Sequence, residues 1–225
     1  MTVAALLVAA GRGRRLGGEI PKQYIPLAGP PALTRSAQAF LALADITAVL
    51  PVIHPDDRGL ADEALSSLTD PRLLPPVMGG DTRAASVRNG LDALEARGPA
   101  RVLIHDAARP FVPGSVIRAV IAALDTHPGA CAALPVVDAL WRAEDGMAET
   151  PVPRDGLWRA QTPQGFHFAP ILAAHRAHDG SGADDVAVAR EAGLAVTFVE
   201  GSEASYKITT ATDLARALSD LVPGG

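Results

Sequence analysis

Residues 9–24 contain Ala9-Ala10-Gly11-Arg12-Gly13-Arg14-Arg15-Leu16-Gly17-Gly18 and, just beyond, Pro21-Lys22-Gln23-Tyr24. Glycines at this density let a backbone turn sharply and approach a ligand with its N–H groups free to donate to phosphate oxygens. Arg12, Arg14, Arg15 and Lys22 add four positive charges within eleven residues, so a polyphosphate is the ligand that suits this loop. Two familiar glycine loops do not fit. A P-loop requires Gly, four residues and then Gly-Lys-Ser/Thr, a spacing this stretch lacks. A dinucleotide fingerprint requires Gly where Leu16 stands and an acidic residue at the end of the next strand, where Pro51-Val52-Ile53-His54-Pro55 has none.

Two further loops carry reactive side chains. His105-Asp106-Ala107-Ala108-Arg109-Pro110 follows the apolar run Val102-Leu103-Ile104. Asp106 at a strand tip suits Mg²⁺ or a substrate hydroxyl, and Arg109 suits an anionic group; taken alone, the two equally suit a structural ion pair. Gly79-Gly80-Asp81-Thr82-Arg83-Ala84-Ala85-Ser86 runs into a helix, with Asp81 or Thr82 as its N-cap. Capping alone accounts for Asp81, whereas Gly79 and Gly80 allow close approach to a flat base or a ribose. The six histidines show no metal-like spacing, so zinc is not expected.

The elements that must hold these loops alternate regularly. Short apolar runs (Val3–Ala9, Val49–Ile53, Val77, Val102–Ile104) are separated by segments of helical spacing (Leu33–Leu43, Leu60–Leu68, from Thr82, Val116–Leu124). This βα alternation predicts an α/β fold, a mostly parallel twisted sheet with helices on both faces. The carboxyl ends of such strands are where α/β sheets bind ligands, which favours a binding loop over an exposed basic turn after Ala9. Between Asp138 and Leu157 the alternation breaks into a charged stretch with Gly146, Pro151, Pro153 and Gly156, predicting a protruding hairpin or arm. The pattern leaves open whether that arm folds back or packs on a second subunit.

Composition narrows the function classes. With 225 residues, 48% hydrophobic and 20% charged, the chain supplies one compact domain (1–225) with an appendage at 138–157. Aromatic content of 4% and a formal charge of −5 argue against nucleic-acid partners, whether by base stacking or by phosphate attraction. The lone Cys131 supports no disulfide and makes the cytoplasm the default compartment. The opening apolar run is too short for a bilayer and has its arginines after it, which is neither a membrane span nor a secretory signal.

Taken together and in order, AAGRGRRLGGEIPKQY, GGDTRAASV, HDAARPF, RDGLWRAQTPQGF and YKITTATDL cover nearly the whole chain. This set resembles the 2-C-methyl-D-erythritol 4-phosphate cytidylyltransferase family of non-mevalonate isoprenoid biosynthesis. Single motifs recur across sugar-nucleotide transferases; five in register are specific. The resemblance implies a Rossmann-like nucleotidyltransferase fold and a homodimer in which the arm exchanges between subunits. It implies an enzyme that transfers CMP from CTP to a polyol phosphate with Mg²⁺. It assigns Arg15 and Lys22 to transition-state stabilisation, and Arg154 and Lys207 to positioning methylerythritol phosphate. Contacts to CTP fall to Ala9, Ala10, Gly11, Gly80, Asp81 and Ser86, while Asp106 and Arg109 lie near the second substrate and, for Asp106, the metal. The family's Thr is replaced by Ala139 after Asp138, and by Ala183 before Asp184-Asp185. A ribitol 5-phosphate cytidylyltransferase shares much of the pattern and is the alternative enzyme; a nucleotide-binding module without turnover is the alternative outside catalysis.

Overall fold

Alternation of side chains along a strand makes a fully apolar strand a two-sided core element, and β1 (Val3–Ala9) is one. Val3, Ala5, Leu7 and Ala9 face one hydrophobic cluster while Ala4 and Leu6 face another. The computed structural model describes residues 1–12 and 20–221. Along the chain, β1 is followed by α1 (Ala32–Leu41), β2 (Ile46–Ile53), α2 (Arg58–Leu65), β3 (Val77–Met78), α3 (Arg83–Glu95), β4 (Arg101–Asp106) and α4 (Gly114–Ala123). Next come β5 (Gly129–Pro135), β6 (Leu140–Glu144), β7 (Met147–Val152), β8 (Trp158–His167), α5 (Phe168–Ala177), α6 (Asp185–Glu191), β9 (Val196–Glu200) and α7 (Ala211–Leu221).

The main sheet has the order β3-β2-β1-β4-β8-β5-β9. Its strand pairs are parallel except where β8 runs antiparallel between β4 and β5. Residues of α1, α2 and α4 build the first cluster; α3, α5 and α6 build the second on the opposite face. This is the α/β architecture expected from the alternation. A small third cluster of Leu27, Ala32, Ile208 and Ala217 seats α7 beside the carboxyl ends of the parallel strands, next to Phe111 and Tyr206.

The arm is a separate antiparallel pair, β6 with β7. Its strands meet at Asp145-Gly146, both at positive φ (49° and 81°), the backbone twist that two-residue hairpins favour. Nearly every residue of both strands is exposed, and Trp141 is 56% exposed, so the arm does not fold back on the body.

Gly90 shows how closely α3 lies on the sheet. A Cβ there would sit 2.3 Å from Leu6 Cδ1 and 2.7 Å from Val52 Cγ2, and both neighbours are fully buried. Ala gains about 1 kcal/mol of helix propensity over Gly, but overpacking a tight core costs about 1–3 kcal/mol. Gly90→Ala is therefore expected to lower unfolding free energy by about 1 kcal/mol in urea titration; a stabilised variant would contradict this packing.

Candidate active site

A buried strand that ends in a loop delivers its last side chains to the sheet's edge, and three such ends converge here. The carboxyl ends of β1 and β4, together with the turn after β3, open onto a cleft of about 680 Å³. It is lined by Ala9, Ala10, Gly11, Lys22, Gly80, Asp81, Ser86, Asp106 and Lys207, all of them anticipated from sequence. Arg15 lies outside the described residues, as do Gly13 and Arg14. Arg109 and Arg154 do not line the cleft.

The first turn is held by Gln23, a buried amide whose Nε2 donates to the carbonyls of Ala9 at 2.6 Å and Gly11 at 3.1 Å. The second turn is held by Ser86. Its hydroxyl accepts from the Gly80 N–H at 3.1 Å and donates to the Thr82 carbonyl at 2.9 Å. The Gly79 N–H also donates to the Ile53 carbonyl at 2.7 Å, and a Cβ at Gly79 would stand 2.6 Å from both Ala10 Cβ and Ser86 Oγ. Only glycine lets the two turns touch. Thr82 is the N-cap of α3, accepting from the Ala85 N–H at 3.0 Å. Capping therefore does not account for Asp81, whose exposed side chain faces the cleft.

Asp106 ends β4 at the cleft floor, ringed by cations. Lys207 Nζ is 2.8 Å from its Oδ2, Arg83 Nε is 3.3 Å from Oδ1, and Arg109 Nε is 3.8 Å from Oδ2. Burial alone would raise its pKa, but the charges of Lys207 and Arg83, with the Lys207 hydrogen bond and Arg109, hold the carboxyl well below the usual range. His105 points away from the cleft. It is fully buried between the Thr162 hydroxyl and the Arg109 carbonyl, and desolvation pushes its pKa down to about 4, against that backbone hydrogen bond.

Several charges serve the scaffold. Arg109 is largely buried and donates to the Ser205 carbonyl at 2.7 Å; the Ile208 N–H donates to the Ala108 carbonyl at 2.9 Å. These two bonds pin the segment that aims Lys207 at Asp106, so the Arg109 guanidinium supports the floor from behind. Arg12 lines the cleft, yet it is bound by Asp57 at 2.6 Å and Asp56 at 3.1 Å. Arg154, exposed at the root of the arm, donates to the Val137 carbonyl. Gln23, Arg83 and Asp185 were not singled out by the sequence reading. The signal for Gln23 was its adjacency to Lys22; Arg83 and Asp185 stand 102 positions apart and carry no local signal.

A sequence model of the 2-C-methyl-D-erythritol 4-phosphate cytidylyltransferase family matches residues 3–221. A protein of that name from Cereibacter sphaeroides is 55% identical over 217 residues, 96% of each chain. A bifunctional enzyme IspD/IspF from Rhodobacter capsulatus is also 55% identical, over 96% of this chain and 55% of its own length. Among solved structures, a 4-diphosphocytidyl-2C-methyl-D-erythritol synthase superposes with TM-score 0.83 at 29% identity, covering 97% of both chains. The Thermus thermophilus 2-C-methyl-D-erythritol 4-phosphate cytidylyltransferase superposes with TM-score 0.77 at 32% identity, covering 97% of this chain and 98% of its own.

The ringed carboxylate has a pH signature. Because its folded pKa is depressed, Asp106 contributes stability that is present above its unfolded value of about 4 and is lost as pH falls through the folded value. Lys207→Met removes part of that contribution. The stability gap between parent and variant is expected to be full at about pH 7 and to shrink progressively as pH is taken down to about 2 in urea unfolding; a gap that stays constant over that whole range would show that the Lys207–Asp106 pair is not its source.

Proposed function

The chain belongs to the 2-C-methyl-D-erythritol 4-phosphate cytidylyltransferase family, and from that premise we infer that it transfers CMP from CTP to 2-C-methyl-D-erythritol 4-phosphate. The products are 4-diphosphocytidyl-2-C-methyl-D-erythritol and pyrophosphate, a step of isoprenoid biosynthesis. The observation that carries the reading is the meeting of two glycine turns with Lys22 and Lys207 in one cleft.

An oxygen of the methylerythritol phosphate attacks the α-phosphorus of CTP, and pyrophosphate leaves in line. No covalent enzyme intermediate is required, because positioning and charge neutralisation do most of the work in such transfers. The backbone of Ala9, Ala10 and Gly11 would cradle the triphosphate, and Gly80, Asp81 and Ser86 would receive the cytidine. Lys22, with Arg15, would neutralise charge developing on the triphosphate; Lys207, with Arg154, would seat the phosphorylated alcohol. Asp106 accepts a hydroxyl of that alcohol, and Arg109 acts through the Lys207 segment that it pins.

Magnesium would be held mainly by the substrate. Among the described residues no group of three or more His, Cys, Asp or Glu side chains is placed to cage a metal, but Mg²⁺ commonly takes one carboxylate with substrate phosphates and water. Asp106, the carboxylate expected to hold it, already has Lys207 Nζ at 2.8 Å and Arg83 Nε at 3.3 Å on its two oxygens, so the substrate phosphates and water would be the main ligands. When bound, the ion would neutralise phosphate charge.

The arm supports a homodimer. Trp141, Met147 and Val137 are exposed on or beside it, and at its root Trp158 stacks on Phe198 at 5.5 Å, both partly exposed. Apolar surface of this kind is suited to a partner subunit. Arg154 stands at the same root, away from its own cleft, so it would serve the neighbouring subunit's cleft. No helix among the described residues is long and apolar enough to cross a membrane. A lone free cysteine, Cys131, supports the cytoplasm as its compartment.

Purified protein mixed with CTP, Mg²⁺ and methylerythritol phosphate is expected to release pyrophosphate, faster than with ribitol 5-phosphate; no release with either alcohol would overturn the reading. Lys22→Ala is expected to lower kcat by about a hundredfold or more with folding unchanged, the scale of losing one transition-state donor. Arg154→Ala is expected to raise KM for the alcohol more than for CTP. At low alcohol concentration, subunit exchange between these two variants is expected to restore activity that neither has alone. Lack of restoration would place Arg154 in its own subunit's chemistry.

A further inference from the structure

Behind the cleft floor, charges continue into the core. Arg83, from the first turn of α3, reaches two carboxylates at once: its Nη2 is 2.7 Å from Asp185 Oδ2, and its Nε is 3.3 Å from Asp106 Oδ1. Asp185 opens α6 and is 1% exposed. Its other oxygen lies 3.3 Å from His175 Nε2 of α5, a longer contact. Arg83 makes the shorter of the two contacts to Asp185, and it also lines the cleft.

Charge balance alone does not require Arg83 at Asp106. Lys207 and Arg109 already supply two positive charges to that carboxylate. What a third cation adds is direction. A guanidinium is a rigid planar fork, so anchoring one arm fixes the line along which the other donates. Asp185 anchors one arm, and Asp185 is itself fixed by α6, whose preceding Asp184 accepts from the Ala187 N–H and from Gln164 Nε2 at 2.9 Å each.

We propose that Arg83 is a positioning residue for the transfer reaction: tied to Asp185, it orients the Asp106 carboxylate so that Oδ2 meets Lys207 at the seat of the phosphorylated alcohol. This inference rests on the cytidylyl-transfer reading. A purely structural Arg83 would serve only to neutralise buried Asp185, and removing Asp185's charge would then make Arg83 dispensable.

The deciding comparison is the parent, with Asp185→Asn as the control for folding, against the double variant Arg83→Gln/Asp185→Asn, in which both members of the buried pair are neutral. The double variant is expected to keep the melting transition of Asp185→Asn and the KM for CTP. Its kcat is expected to be lower than the parent's by roughly tenfold to a hundredfold, the scale for losing a residue that orients a reactive group, with a raised KM for the alcohol. Arg83→Lys keeps the charge but cannot span both carboxylates, and is expected to show the same split. Parental kinetics in Arg83→Lys, or in the double variant, would overturn the proposal. If the parent enzyme releases no pyrophosphate, the functional reading fails by itself, and a crystal structure of the double variant still decides: a turned Asp106 carboxylate released from Lys207 Nζ supports the proposal, and an unchanged contact refutes it.

Discussion

Positive charge gathered at one rim of a sheet repels itself before any substrate arrives. At about 4 Å and an effective dielectric of 20, two like charges oppose each other by about 4 kcal/mol, comparable to a large part of a domain's net stability. Arg12, Lys22, Arg83 and Lys207 all line one cleft of a chain whose formal charge is −5. Buried carboxylates make this tolerable: Asp106 serves Lys207 and Arg83, Asp185 serves Arg83, and Asp57 serves Arg12. Each sits on a different element, so the cations are spread over the fold and aimed separately. The α/β sheet suits this because the carboxyl ends of β1 and β4 lie side by side while helices on both faces bring further charges to the same edge.

The half of the fold that was legible in the sequence is the half in which strands are buried on both faces. Val3–Ala9 and Val102–Ile104 read as strands because nothing polar interrupts them, and β4 extends only to Arg101 and Asp106 beyond its apolar run. β8 was recognised as a motif and not as a strand. It carries Gln161, Thr162, Pro163, Gln164 and Gly165, which resemble a loop by composition. Gln164 is nonetheless buried and useful, since its amide donates to Asp184 and its Oε1 accepts from the Val186 N–H. Gly165 lies where a Cβ would meet Val120 Cγ1 at 2.6 Å. Polar strand residues that dock a helix by hydrogen bonds give no periodic apolar signal. The arm, by contrast, announced itself as an interruption.

Within the site, what was legible was whatever a short segment carries by itself. Glycine turns, a strand-tip aspartate and a nearby lysine are local patterns, and the cleft brings together Gly11, Gly80, Asp106 and Lys22, which carry them, with Lys207, which only the family resemblance pointed to. Direction was not legible. Arg12 and Arg109 were counted as charges for an anionic ligand, yet Arg12 is bound by Asp56 and Asp57 and Arg109 by Ser205. Asp81 was explained as a cap until Thr82 proved to hold that place. Which partner an arginine meets depends on elements far apart in sequence, and no spacing rule encodes that.

The two positions where the family pattern has Thr show why side-chain direction matters more than local composition here. Ala183 is exposed and stands just before α6, whose N-terminus is capped by the Asp184 carboxylate and whose first residue is tied to Arg83. A hydroxyl at 183 is therefore unnecessary for holding α6. Ala139 is exposed beside the arm's root, where Arg154 donates to the Val137 carbonyl. Neither alanine removes an anchor of the charge network, so the cleft's cations keep their orientation. Positioning by buried carboxylates thus separates the scaffold from the exposed surface: residues 139 and 183 can lose hydroxyls while the arrangement of charge in the cleft stays fixed.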